Sequence, residues 1–233
     1  MTSLSILLFC IQVRQIVRIL PSLLVAVAVA LFVRRILIEP LGPDLSDLLW
    51  RAGPGLAIYL GFGIYWEYAG RNASALSQSE SSLSSAAHQL LIAIGLVLVI
   101  APVPGLVLRF LPASYLLVAI GLIVELLGVS IAVWARRTLG TSWRREVAIT
   151  DGHRLVREGP YERVRHPIYT GALLIYAGLA ISVGQVHALL GVAVIALAYW
   201  RKIAMEEALL SKAYGADFAQ YRRTSWSVVP YVF

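Results

Sequence analysis

The chain has 233 residues, 59% of them hydrophobic and 14% charged, with a mean hydropathy of +0.76. That composition excludes a water-soluble globular fold, which could not hide so much apolar surface, and it leaves room for about five to seven spans of roughly 20 residues each. The net charge of +7 does not argue for a nucleic-acid partner, because the basic residues cluster beside apolar runs, where Lys and Arg mark the cytoplasmic side of a membrane. The single cysteine, Cys10, excludes an internal disulfide and a cysteine metal site.

In chain order, the apolar stretch Leu4 to Val13 has no basic residue before it and no clean small-residue cleavage site after it, so no signal peptide is expected. Arg14 and Arg18 share one helical face and fit an interfacial helix broken at Pro21. Six candidate spans follow, at about Pro21 to Ile38, Ala52 to Ala69, Leu90 to Phe110, Ala113 to Ala135, Ile168 to Val183 and Val186 to Trp200. The second carries four glycines (Gly53, Gly55, Gly61, Gly63) and the third is interrupted by Pro102 and Pro104, both tolerable inside membranes. Between them Asn72 to Ala87 is Ser-rich and without hydrophobic periodicity, which predicts an exposed loop, and its Asn72-Ala73-Ser74 sequon reads as a chance match.

The expected fold is therefore all-α: a polytopic integral membrane protein of about six helices, with a cytoplasmic loop and a C-terminal helix. Residues 1–135 hold about four spans; residues 136–233 hold the loop, a helical hairpin and the tail. From Arg136 to Arg165 there are eight arginines against four acids, which makes this loop cytoplasmic. The uncharged link at Gly184 and Gln185 makes the last two spans a hairpin that returns the tail, from Arg201 onward, to the same side. Loop and tail can then meet.

Polar residues concentrate in two segments, His153 to Gly171 (HRLVREGPYERVRHPIYTG) and Trp200 to Tyr221 (WRKIAMEEALLSKAYGADFAQY). Charges beside a membrane are kept mainly where they pair or bind something, so a site is expected there; simple anchoring at the interface is the competing reading. Gly159-Pro160 and His166-Pro167 signal two backbone bends before the fifth span. The adjacent carboxylates Glu206 and Glu207 point about 100° apart on a helix, and Glu206 with Lys202 also has the spacing of an ordinary surface ion pair. His153 and His166 lack the paired spacing of a zinc site, and no metal is expected.

These two segments, with "EE" some 35 residues beyond the first, then "YGADFAQY" and a closing proline, resemble the isoprenylcysteine carboxyl methyltransferase family and, in outline, the phospholipid N-methyltransferases. The resemblance covers about Leu139 to Pro230. It implies an S-adenosylmethionine-dependent methyltransferase, releasing S-adenosylhomocysteine, with a multi-pass fold, a cytoplasmic cofactor site and a lipophilic or prenylated acceptor arriving through membrane lipid. Carried over by position, His153, Leu155, Val156, Gly159, Tyr161, Arg165, His166, Tyr169 and Gly171 would line the cofactor pocket, with Glu206 and Glu207 closing it. Arg201 and Glu206 would be the catalytic pair. They stand five apart, about 140° around a regular helix, so a bend or a ligand is needed between them. Methyl transfer needs mainly in-line placement of a nucleophile: a carboxylate acceptor would be oriented by the Arg201 guanidinium, whereas an amine or thiol would need a base such as Glu206.

Two other readings compete. A membrane NADPH-dependent reductase of the sterol-reductase type would use Arg144, Arg145, Arg154, Arg157 and Arg163 on phosphates that S-adenosylmethionine lacks. A transport or scaffold protein would use the loop only as a topological anchor; transporters, however, bind near the midplane, where Glu125 is the main polar group available.

Overall fold

The computed structural model describes residues 43–70, 78–79, 82–103, 105–140, 148–149 and 155–230. Within them run helices α1 (Pro43–Gly70), α2 (Ser82–Ile100), α3 (Tyr115–Leu139), α4 (Pro167–Val183) and α5 (Val186–Thr224), with a 3-10 turn at Gly159–Glu162. A two-residue antiparallel pairing joins β1 (Gln78–Ser79) to β2 (Ala148–Ile149). The candidate span Pro21 to Ile38 lies outside the described residues.

Local chemistry sets several boundaries. The Ser114 hydroxyl accepts the Leu116 N–H at 3.2 Å and caps α3. Pro167 starts α4, where its missing N–H is no loss, and Gly184, in the left-handed region at φ 68°, ends it. Only Gly184 and Gln185 separate α4 from α5, the hairpin expected from sequence. Two expectations need correction. Residues Ser82 to Ala87, read as loop, already belong to α2, because Ser84 and His88 find partners on α5. The third apolar run is not one span to Phe110: α2 ends at Ile100, just before Pro102, and Leu106 and Leu108 instead accept backbone bonds from His187 and Val186.

The helices alternate in direction and pack through glycine. Across α3 and α4, a Cβ on Gly121 would lie 2.5 Å from the Gly178 carbonyl oxygen, and one on Gly128 2.5 Å from that of Gly171; the reverse substitutions meet the same carbonyls. Across α2 and α5 the same reciprocity links Gly95 to Gly191. Backbones this close maximise dispersion contacts where lipid offers no hydrophobic drive between helices. Beside these seams Ala52, Leu96, Val99, Tyr176, Leu179, Val183 and Ile195 form the buried core.

Large apolar side chains face outward instead, among them Ile64 (74% exposed) and Leu116 (68%), as expected for surfaces solvated by lipid. Helices α2, α3 and α5 are each long and apolar enough to cross a membrane, and α4 is a shorter apolar helix. The chain is an integral membrane protein. Up to its kink at Gly215, helix α5 runs about 43 Å, longer than the roughly 30 Å hydrocarbon thickness; its charge-free part, Val186 to Trp200, is the portion suited to a membrane interior, and charged residues begin at Arg201.

At one end Arg51 pairs with Asp47 at 2.8 Å and Arg109 reaches the same carboxylate at 3.4 Å. The N-termini of α2 and α4 and the C-termini of α1 and α3 share the opposite end: Arg136 of α3 donates to the Ala69 carbonyl at 2.7 Å, and Thr138 would contact a Cβ on Gly159 at 3.1 Å. Glu125 of α3 is fully buried at the α1–α3–α4 junction, between Gly55 and Gly178, and neither carboxylate oxygen has a hydrogen-bond partner among the described residues.

Candidate cofactor site

Where α4 begins, the loop, the extension of α5 and the segment after it converge. The loop is held from below by backbone bonds: Arg165 N–H donates to Trp226 O at 2.8 Å, His166 N–H to Ser227 O at 2.9 Å, and Trp226 N–H to Arg163 O at 2.9 Å. The Thr170 hydroxyl adds a bond to the Val228 carbonyl at 2.7 Å. These contacts require residues 225–228 to turn back toward the loop. Gly215, in the left-handed region at φ 48°, kinks α5 so that Phe218 and Tyr221 become buried. The Tyr221 hydroxyl then donates to the Tyr161 carbonyl, and Arg157 donates to the Asp217 carbonyl at 2.7 Å while lying 5.4 Å from the Tyr221 ring centre.

On this frame the polar side chains meet. Arg165 Nε donates to Glu207 Oε1 at 2.8 Å, and its other arm reaches the Ser225 carbonyl. His166 is 5% exposed; its Nδ1 stands 3.3 Å from Glu206 Oε2 and its Nε2 3.3 Å from Glu207 Oε1. Successive helical residues diverge by about 100°, and the imidazole occupies the angle between the two carboxylates. Tyr169 donates its hydroxyl to Glu206 and packs its ring on His166 (5.7 Å) and on Tyr199 (5.0 Å). Arg222 approaches Glu207 Oε2 at 3.5 Å.

The electrostatics follow from these distances. Burial alone would lower the His166 imidazole, but the Glu206 and Glu207 carboxylates outweigh it and hold it above its ordinary value near 6.5. Burial alone would raise both glutamates. Hydrogen bonds from His166 and Tyr169 hold Glu206 below the usual carboxylate range, and those from His166 and Arg165 bring Glu207 down to about 2. These shifts all favour the charge-paired form, two carboxylates around an imidazolium.

Arg165, His166, Tyr169, Glu206 and Glu207 therefore come together. Tyr161 is buried beneath the loop, Leu155 and Val156 are half-buried ahead of it, and Gly159 opens the 3-10 turn. Gly171 faces α3, where a Cβ would lie 2.5 Å from Gly128 O and 2.9 Å from Ala132 Cβ. His153 lies outside the described residues. Arg201 does not reach Glu206: it donates to the hydroxyl and, at 3.3 Å, the carbonyl of Ser84 on α2. Five positions of helix turn the two residues toward different neighbours, α2 and α4. Sequence reasoning missed Ser84, Tyr199 and Arg222. Tyr199 precedes Glu206 by seven positions, two helical turns, and that shared face was the available signal.

The donor set suits the group that the sequence motifs imply. S-adenosylmethionine carries an ammonium, for which two clustered carboxylates are partners, and a sulfonium, which aromatic faces such as Tyr169 and Tyr199 stabilise. The described residues contain no group of three or more potential metal ligands.

The class defined here is a membrane helix bundle with a polar site at one edge, and residues 116–217 match the phospholipid methyltransferase family model. The more particular resemblance read from the motifs, to the isoprenylcysteine carboxyl methyltransferase family, holds in direct comparison. The chain is 30% identical over 115 residues to protein-S-isoprenylcysteine O-methyltransferase B of Arabidopsis thaliana, covering 48% of this chain and 58% of that protein. It is 28% identical over 119 residues to a probable protein-S-isoprenylcysteine O-methyltransferase of Oryza sativa subsp. indica, covering 48% and 61%. The matches thus span less than two thirds of these relatives' length. Among solved structures, the eukaryotic intramembrane Ras methyltransferase ICMT (isoprenylcysteine carboxyl methyltransferase) aligns over 94% of this chain and 97% of its own, at 16% identity and a TM-score of 0.49.

Proposed function

We propose that the protein is an integral membrane S-adenosylmethionine-dependent methyltransferase acting on a lipophilic acceptor with a carboxylate end, as in a prenylcysteine, with its site on the cytoplasmic side. The observation that carries this reading is the convergence of Arg165, His166 and Tyr169 on Glu206 and Glu207 at the membrane edge, inside the stretch that matches methyltransferases. The arginine-rich loop supports the cytoplasmic orientation, and six spans with divisions near 1–135 and 136–233 remain our topology.

In this reading Glu206 and Glu207 bind the cofactor's ammonium, Tyr169 and Tyr199 face its sulfonium, the loop around Gly159 and Tyr161, with His153, Leu155 and Val156, shapes the pocket, and Gly171 holds the start of α4 against α3. Bound S-adenosylmethionine supplies an activated methyl group. The chain's task is then to place the acceptor in line and exclude water. Arg201 bonds only neutral Ser84 atoms among the described residues, so its guanidinium is available to orient an acceptor carboxylate.

The test is calorimetry in mild detergent with S-adenosylhomocysteine and with NADPH, on wild type and Glu206→Ala, followed by transfer of labelled methyl to N-acetyl-S-farnesylcysteine. Saturable binding of the homocysteine nucleoside, lost in the variant, together with transfer, is the expected result. Binding of NADPH alone would make the protein a reductase, and binding of neither would favour a non-enzymatic role.

A further inference from the structure

The imidazole of His166 is placed unusually for a neutral ring. Both nitrogens stand 3.3 Å from carboxylate oxygens, of two different glutamates, and a neutral imidazole carries one N–H only. With one proton, the other nitrogen's lone pair would face an anionic oxygen in a buried setting, which is repulsive. An anionic oxygen beside each nitrogen therefore favours the imidazolium, whose Nε2–H is hydrogen-bonded to Glu207 and whose Nδ1 stands in ion-pair contact with Glu206.

This arrangement conflicts with taking up another cation. Charged and titratable groups face the cluster from every side: Arg165 from the loop, Tyr169 from α4, Tyr199, Lys202, Glu206, Glu207 and Arg222 from α5, and His88 from α2. Tyr161 faces it from the 3-10 turn. Two carboxylates already meet Arg165, Arg222 and Lys202 besides His166. A ligand ammonium added there must displace a positive charge or repel it. The arginines do not deprotonate, and the tyrosines are already neutral donors. Of the remaining cations, His166 has the ordinary value closest to neutrality, and as a neutral ring it can keep one N–H on Glu207 while its freed nitrogen accepts from the ammonium.

We propose that binding an amino-acid headgroup at Glu206 and Glu207 expels one proton from His166 to solvent. The inference rests on the methyltransferase reading of the site. The balance is simple: the imidazolium N–H bond breaks, its electron pair stays on nitrogen, and the ligand's ammonium replaces the lost charge. Cofactor occupancy is thereby linked to pH. Affinity rises about tenfold per pH unit while free His166 is charged and levels off once it is neutral.

The experiment is calorimetry of wild-type protein near pH 6, about where a free imidazole titrates, in two buffers of different ionisation enthalpy. The probes are S-adenosylhomocysteine and 5′-methylthioadenosine, which keeps the nucleoside thioether and lacks the amino acid. Release of about one proton with the first and none with the second is expected, together with affinity for the first that climbs with pH. Binding without proton release, or with affinity flat across pH, overturns the inference and leaves the methyltransferase reading standing; absence of binding by either probe sinks that reading itself. In His166→Gln, binding with release abolished is expected, and persisting release would assign the proton to another group such as Lys202. Should the variant not fold, the contrast between the two probes in wild type still decides.

Discussion

Replacing Gly171 by alanine tests whether the glycine seam sets the position of the site. The added Cβ would lie 2.5 Å from the Gly128 carbonyl oxygen, 2.8 Å from the Ala132 nitrogen and 2.9 Å from its Cβ. Ordinary contact begins near 3.4 Å, so α3 and α4 must part by about 0.9 Å, from 3.4 minus 2.5. Two of the three obstructing atoms are backbone and cannot swing aside. Overpacking of this kind costs about 1–3 kcal/mol, which for a chain of this size lowers the unfolding midpoint by roughly 2–12 °C. Because Gly171 lies five positions beyond His166, the shift also carries the start of α4 away from Glu206. The assay is thermal unfolding in detergent, read beside affinity for S-adenosylhomocysteine. Gly61→Ala is the internal control, since nothing stands within 4 Å of its Cβ, and it should change stability by about 1 kcal/mol at most. A Gly171→Ala protein as stable as wild type, or a Gly61→Ala protein that loses more, would refute the reasoning.

Glu207→Gln should lower stability near neutral pH by about 3 kcal/mol, because Arg165 and His166 lose their shared anion. The folded Glu207 is lowered to about 2 from 4.5, so its contribution is fully present above 4.5 and is lost as pH falls toward 2; the gap between variant and wild type should close over that window in unfolding scans. Arg201→Ala should leave S-adenosylhomocysteine affinity within about twofold while raising KM for N-acetyl-S-farnesylcysteine roughly tenfold or more, the loss of one charge-assisted contact; a selective loss of cofactor binding would contradict its assignment to the acceptor. Tyr221→Phe leaves the Tyr161 carbonyl without its donor and should cost about 1–3 kcal/mol, seen as faster amide exchange in residues 157–163.

Much of this was legible because the membrane simplifies the code. Long apolar runs located all five of the described helices, and the scarcity of charge elsewhere made the two polar segments conspicuous. The Ser-rich stretch misled for an equally physical reason. Serine favours loops on local grounds, yet Ser84 and His88 are drawn into α2 by Arg201 and by the Ala198 carbonyl, contacts more than a hundred positions away. Separation, here some sixty positions, also hid the pairing of residues 163–166 with 226–227, which involves too few residues to leave any periodicity. The Glu-Glu pair was visible as a motif, but nothing in the sequence placed an imidazole between the two carboxylates.

The pairing of the loop with residues 226–228 also orders events in time. A ribosome delivers the arginine and histidine of the loop some sixty residues before the carbonyls that anchor them, and α4 and α5 must enter the bilayer in between. During that interval the backbone N–H groups of Arg165 and His166 have only water or lipid headgroups to bond. The site is therefore a late product of biosynthesis, absent from every nascent form shorter than residue 226 however well its helices have inserted.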